Sequence, residues 1–277
     1  MIKISDFVAS EAAYFTPMLE RSLRSSMAER EAWGHETIRQ RQERISLEVF
    51  DMLNGTVRYG PFTGLKLERN PWWGRLDLGS QCLGLYELEI LNFLSHLEPG
   101  RFSTFIDIGA ADGYYAVGML KSLRIPKAIC FERSDSGRDA IGRLWRNNGS
   151  EGVLEVLAEA NPRTIAELSQ NDLSCALVMV DIEGAEFDLL VKKTLSILKF
   201  CTVIIEIHNW IDDFLARYTE FLHDASKHYD IAILERLDRS TSHINELRDF
   251  TDDNRLLLVS ERRPCLMRFL KLSPRRD

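Results

Sequence analysis

The chain is 277 residues long, 45% apolar and 28% charged, a balance that excludes a disordered tail, a fibre or a disulfide-stapled miniprotein. Its formal charge of -7 argues against a nucleic-acid partner, because phosphates would be repelled unless a basic patch were strongly localised. The cysteines (Cys82, Cys130, Cys175, Cys201, Cys265) are scattered without a Cys-x-x-Cys pair or zinc spacing, so a reducing cytoplasm is expected, with Cys130, Cys175 and Cys201 as small core residues.

The N-terminus, MIKISDFVASEAAYF, lacks the basic start and unbroken apolar run of a signal peptide, and no stretch reaches membrane-spanning length. From Pro17 to Asn54 the chain is rich in Glu, Arg, Gln and Leu, which predicts helix up to the Asn54-Gly55 stop. Ile38, Ile45, Val49, Met52 and Leu53 recur at helical spacing; the stripe reads as a core face before a dimer seam, which leaves homo-oligomerisation open. The following segment, VRYGPFTGLKLERNPWWGRLDLG, reads as turns or a short hairpin whose Trp72 and Trp73 either cover a ligand like a lid or pack between domains.

After a helix over Tyr86 to Leu97 the pattern changes. The runs FSTFIDIG, KAICFE, GVLEVLA, CALVMVD, CTVIIEIH, YDIAILE and RLLLVS read as strands, the first five joined mainly by helix-length connections. The fold class is therefore α/β: a Rossmann-like, mostly parallel sheet flanked by helices, with an N-terminal helical extension over residues 1–98 and the main domain over 99–277. Ligands of such sheets bind beyond the carboxyl ends of the strands, so chemistry is expected where strands end. The closing run ERRPCLMRFLKLSPRRD reads as a basic surface helix or tail rather than a binding site for a membrane or an anion.

The first strand ends in Asp107-Ile108-Gly109-Ala110-Ala111-Asp112-Gly113 before a helical stretch. The glycines allow a tight loop to approach a ligand, and Ala110 and Ala111 keep bulk out of the way. This is not the dinucleotide fingerprint, because Asp stands at position 107 where that pattern has glycine. A pyrophosphate would be repelled by Asp107 and Asp112, whereas the sulfonium and amino group of S-adenosyl-L-methionine (SAM) would be attracted. The second strand ends at Glu132, at the offset where a carboxylate accepts both hydroxyl protons of an adenosine ribose. The third ends near Glu159, assigned to the adenine edge.

These residues resemble the FkbM-like family of SAM-dependent methyltransferases. Asp107-Ile108-Gly109-Ala110 and Gly113 match its loop with Ala111 in place of Asn; Phe131-Glu132 matches its second strand end with Arg133 in place of Pro. Asp181-Ile182-Glu183-Gly184-Ala185-Glu186 matches its Asp-x-Glu-Gly-x-Glu motif, and Ile205-Glu206-Ile207-His208 is similar to its later acidic strand end. The resemblance implies that the fourth and fifth strands are neighbours, so that Asp181, Glu206 and His208 converge as catalytic residues beside the methyl group. It also implies a hydroxyl of a sugar, glycan or other small molecule as acceptor. His208 is the candidate base; the same three side chains are also a donor set for a divalent metal. Glu183 and Glu186 suit a helix start as well as catalysis, and Trp210 suits a pocket wall or the core. Two other classes compete: a noncatalytic SAM-binding or scaffold protein, and an NAD-dependent oxidoreductase, which the acidic loop disfavours.

Overall fold

A computed structural model describes residues 3–123, 125–263 and 265–275. Three helices open the chain: α1 (Ile4–Arg24), α2 (Met27–His35) and α3 (Ile38–Met52). The single helix expected over Pro17–Asn54 is thus divided, because Ser26 with Glu29 and Thr37 with Gln40 each close a capping box that starts a new helix. In α3 the core face is Gln42, Ile45, Ser46, Val49 and Phe50, while Ile38 and Met52 of the expected stripe are exposed. Turns with one isolated bridge, Thr56 to Lys66, lead to α4 (Leu78–Cys82) and α5 (Leu88–Ser95).

The sheet then alternates with helices: β1 (Thr104–Ile108), α6 (Tyr114–Lys121), β2 (Lys127–Phe131), α7 (Asp135–Asn147), β3 (Val153–Leu157), α8 (Pro162–Ala166) and α9 (Gln170–Leu173). It continues with β4 (Ala176–Val180), α10 (Glu186–Leu189), α11 (Lys192–Ile197), β5 (Thr202–Ile207), α12 (Phe214–Ala225), β6 (Tyr229–Ile233), α13 (Asp252–Leu258) and β7 (Arg268–Pro274). Strand order is β3-β2-β1-β4-β5-β7-β6, parallel through β5, with β7 antiparallel to both its neighbours. The order reverses between β1 and β4, which opens a crevice at their carboxyl ends.

Three of the sequence expectations change here. The run RLLLVS is not a strand but lies mostly in α13, which Thr251 caps by accepting from the Asn254 backbone N–H, with Asp252 and Asp253 in the first turn. The last strand comes instead from the basic C-terminal run. Phe269, Leu270 and Leu272 are buried between β5 and β6, while Lys271 carries its ammonium over the Phe93 ring. Arg276 of that run lies outside the described residues. Cys175 is exposed, unlike buried Cys130 and Cys201, because it precedes β4 rather than lying within it.

Strand alternation sorts the core into two layers. Phe105, Cys130, Leu177, Met179 and Ile204 face α5 and α6 together with Phe62 and Leu65, whereas Ile106, Ile129, Val178 and Val203 face α8 to α12. A third cluster joins Ile45, Val49 and Phe50 of α3 to α4 and α13. Among the described residues no helix is long and apolar enough to cross a membrane.

Candidate active site

Parity carries the fold into the site. Asp107 is on the Phe105 side of β1, Glu132 follows Cys130, Asp181 follows Met179, and Glu206 and His208 follow Ile204, so their side chains share one face at the carboxyl edge. They line a cavity of about 490 Å³ together with Gly109, Ala110, Ala111, Asp112 and Glu159. Gly113 sits behind it, at the left-handed N-cap of α6 against Ile141.

The loop after β1 owes its glycine to backbone packing. A Cβ on Gly109, at φ 93°, would lie 1.7 Å from the Asp181 carbonyl oxygen, so the space a side chain would need is filled by the end of β4 rather than kept for a ligand. Ala111 also has positive φ, 48°, a conformation that asparagine tolerates better than alanine. Glu87 and Glu183, two further cavity residues, are left-handed as well, which concentrates backbone strain at the site.

Glu132 is buried and accepts from the backbone N–H of Ser134 at 2.7 Å and of Ala111 at 2.9 Å, one on each carboxylate oxygen. Each oxygen keeps a further lone pair. Asp107 is 3% exposed, and its Oδ2 has no hydrogen-bond partner. Burial, then the charge of Asp181, push its pKa up to about 8. Burial raises Asp112 to about 6 against the pull of backbone N–H groups, including those of Trp73 and Tyr114. Asp181 is raised to about 8 by burial and then by Glu87.

This predicts a stability trade-off at Asp107. Its folded pKa lies above the unfolded value of 3.8, so the stability linked to its proton is present below that value and is lost as pH rises to about 8. Asp107→Asn removes this loss: its melting temperature relative to wild type rises from about pH 5 to about pH 9. Parallel melting curves across that range would show that Asp107 does not titrate in the fold.

His208 is 1% exposed and its Nδ1 lies 2.6 Å from Glu186 Oε1. Glu186 is wholly buried, at the first turn of α10, and the same oxygen accepts from the N–H of Gly184 at 3.1 Å and of Ile182 at 3.3 Å. One carboxylate therefore both ties down the turn that precedes α10 and holds the imidazole, with Nε2 turned to Asp181, Glu183 and Glu206 at 3.6, 3.7 and 3.8 Å. Burial pulls the His208 pKa down, but the Glu186 hydrogen bond and the charges of Glu186, Asp181 and Glu183 outweigh it and leave His208 above the usual histidine value. Trp210 is half exposed and meets the imidazole edge-on, with centroids 4.7 Å apart; it belongs to the wall and not the core.

Three further cavity residues complete the wall, and of these only Arg263, within the basic C-terminal run, was marked by the sequence. Arg263 binds Glu206 through Nη1 and Glu261 through Nε at 2.7 Å, and its Nη2 is 3.6 Å from Glu87. Glu87 is buried and accepts from the Tyr115 hydroxyl at 2.6 Å; burial raises its pKa. Burial raises Glu261 to about 7. The basic run was a signal for Arg263, but no local pattern marks Glu87 or Glu261. Trp72 and Trp73 also line the cavity, their ring centroids 5.7 Å apart.

No curated protein matches the chain. Among solved structures it is similar to a precorrin-6y C5,15-methyltransferase from Geobacter metallireducens (15% identity, TM-score 0.40, 53% of this chain and 73% of that chain). It is also similar to the bifunctional kinase-methyltransferase WbdD (14%, 0.43, 68% and 37%). A third likeness is to TYW2 of M. jannaschii in complex with AdoMet (13%, 0.35, 63% and 68%). Residues 134–239 match the family model of the methyltransferase FkbM domain.

Proposed function

We propose that the protein is a SAM-dependent methyltransferase that methylates a hydroxyl of a sugar, glycan or other small molecule. The observation that carries this reading is a crevice at the strand-order reversal whose buried Asp107 oxygen lacks a partner and whose Glu132 keeps acceptor capacity at the neighbouring strand end. Burial raises the pKa of Asp107 and Asp112, and a cationic sulfonium and ammonium favour their ionised forms, whereas a pyrophosphate opposes them. Glu132 accepts from the ribose hydroxyls, Asp107 and Asp112 favour the cationic end, and Glu159 meets the adenine edge. SAM, when bound, supplies an electrophilic methyl group.

The chain's own work is then on the acceptor. Methyl transfer requires an in-line approach and removal of the hydroxyl proton as the bond forms. Asp181 and His208 stand where an acceptor can be oriented and relieved of its proton, and Glu186 fixes the imidazole so that Nε2 is the atom presented. Arg263 holds Glu206 in place. Trp72, Trp73 and Trp210 offer flat apolar faces for a sugar ring, and their exclusion of water strengthens the charged contacts behind them.

Calorimetry tests the cofactor half. SAM and S-adenosylhomocysteine bind and NAD does not, and Glu132→Ala weakens SAM binding by about 1.5 to 3 kcal/mol. Unchanged affinity in a folded Glu132→Ala protein removes Glu132 from the site. Binding of NAD in preference to SAM overturns the reading.

A further inference from the structure

Four side chains from two adjacent strand ends converge on one point in the cavity wall. Nδ1 of His208 is held by buried Glu186, which is itself fixed by two backbone N–H groups. With Nδ1–H donating to that carboxylate, the lone pair is left on Nε2. This nitrogen belongs to a side chain 98% buried, and the facing oxygens of Asp181, Glu183 and Glu206 stand 3.6, 3.7 and 3.8 Å away, each beyond hydrogen-bonding reach. None of the three hydrogen-bonds to Nε2, and Asp181 Oδ1, the nearest, has no hydrogen-bond partner.

That spacing is the spacing of ligands around an ion. Donors each about 2.1 Å from one cation are separated from their neighbours by roughly 3 to 4 Å. One donor atom each from Asp181, Glu206 and His208 lie within 4.8 Å of one another. Arg263 engages the other oxygen of Glu206, Oε1, and leaves Oε2 facing the imidazole. Three converging carboxylates repel one another across a low-dielectric wall, and an ion between them relieves that repulsion.

We infer that Asp181, Glu183, Glu206 and His208 form a divalent-cation site, with Glu186 as the positioning residue that aims Nε2 at the ion. Three carboxylates and one imidazole are a hard-to-borderline donor set, suited to Mn²⁺ or Mg²⁺ rather than to a thiophilic metal. In a methyltransferase the ion lies on the acceptor side, where a coordinated hydroxyl becomes more acidic; this role rests on the function proposed above. With the ion bound, His208 contributes to loss of the acceptor proton through the ion it ligates, so His208→Ala lowers the rate whether the imidazole acts directly or through the metal.

The site is tested with Mn²⁺ alone, with neither SAM nor acceptor present, by following free Mn²⁺ by electron paramagnetic resonance during titration of the full chain. One ion binds per chain. Glu183→Gln, in a side chain more than half exposed, leaves the melting temperature of the metal-free protein unchanged and weakens Mn²⁺ binding about tenfold or more. Asp181→Asn weakens it further, and Glu186→Gln weakens it roughly 10- to 100-fold without removing a ligand. Absence of stoichiometric binding overturns the site, as does binding that Glu183→Gln and Asp181→Asn leave intact. Because SAM affinity is measured separately, loss of the metal site leaves the cofactor reading standing, and failure of SAM to bind leaves the Mn²⁺ result interpretable.

Discussion

His208→Ala and Asp181→Asn each lower kcat by roughly 10²- to 10⁴-fold while leaving SAM affinity nearly unchanged. The asymmetry follows from position. The groups assigned to the cofactor lie at the end of β1 and on the loop after it and beyond the ends of β2 and β3, whereas His208 and Asp181 lie beyond the ends of β5 and β4. An interaction made with the acceptor as its proton leaves appears in the rate and not in cofactor binding. Glu186→Gln should reproduce part of the loss through His208, since a carboxamide on Nδ1 no longer selects the tautomer that presents Nε2. Single-turnover methyl transfer with saturating SAM measures this directly. Wild-type kcat in both His208→Ala and Asp181→Asn would return the two residues to structural roles.

Gly109→Ala has the largest expected effect on stability, about 3 to 5 kcal/mol, with a fall of roughly 10 °C in melting temperature. Its Cβ would overlap the Asp181 carbonyl, and the backbone at φ 93° is in a region that L residues avoid. Relief requires the ends of β1 and β4 to separate, against the Asp181 N–H to Ile108 carbonyl bond of 2.9 Å that joins them. SAM binding should fail with the fold, because the same movement displaces Asp107 and Asp181. Gly142→Ala is the internal control: only the mobile guanidinium end of Arg146 meets the added methyl, at 3.3 Å, and a helical position gains about 0.5 to 1 kcal/mol. Equal melting temperatures for the two variants would show that the β1–β4 contact is not the constraint.

Much of this was legible in the sequence because it depends on local periodicity. Alternation along TVIIEI dictates that Glu206 and His208 share a face, and the pairing of β1 with β4 and of β4 with β5 brings Asp107 and Asp181 onto it. Helix starts were less legible. The capping boxes at Ser26 and Thr37 divide a segment whose composition favours helix throughout, and propensity does not register such breaks. RLLLVS shows the opposite failure, since a short apolar run suits strand or helix and the Thr251 cap decides between them.

By itself, the sequence determined an alternating α/β chain with an acidic strand-end loop, a carboxylate after the second strand and a fourth and fifth strand ending in Asp181, Glu206 and His208. Only the tertiary structure decided that β7 inserts between β5 and β6, and with it which residues complete the site. Arg263 reaches Glu206 across 57 positions, Tyr115 reaches Glu87 across 28 and His208 reaches Glu186 across 22. None of these pairs has a local pattern, because each forms through burial. A charged or polar group withdrawn from water must find a partner, and the fold determines which partner is within reach.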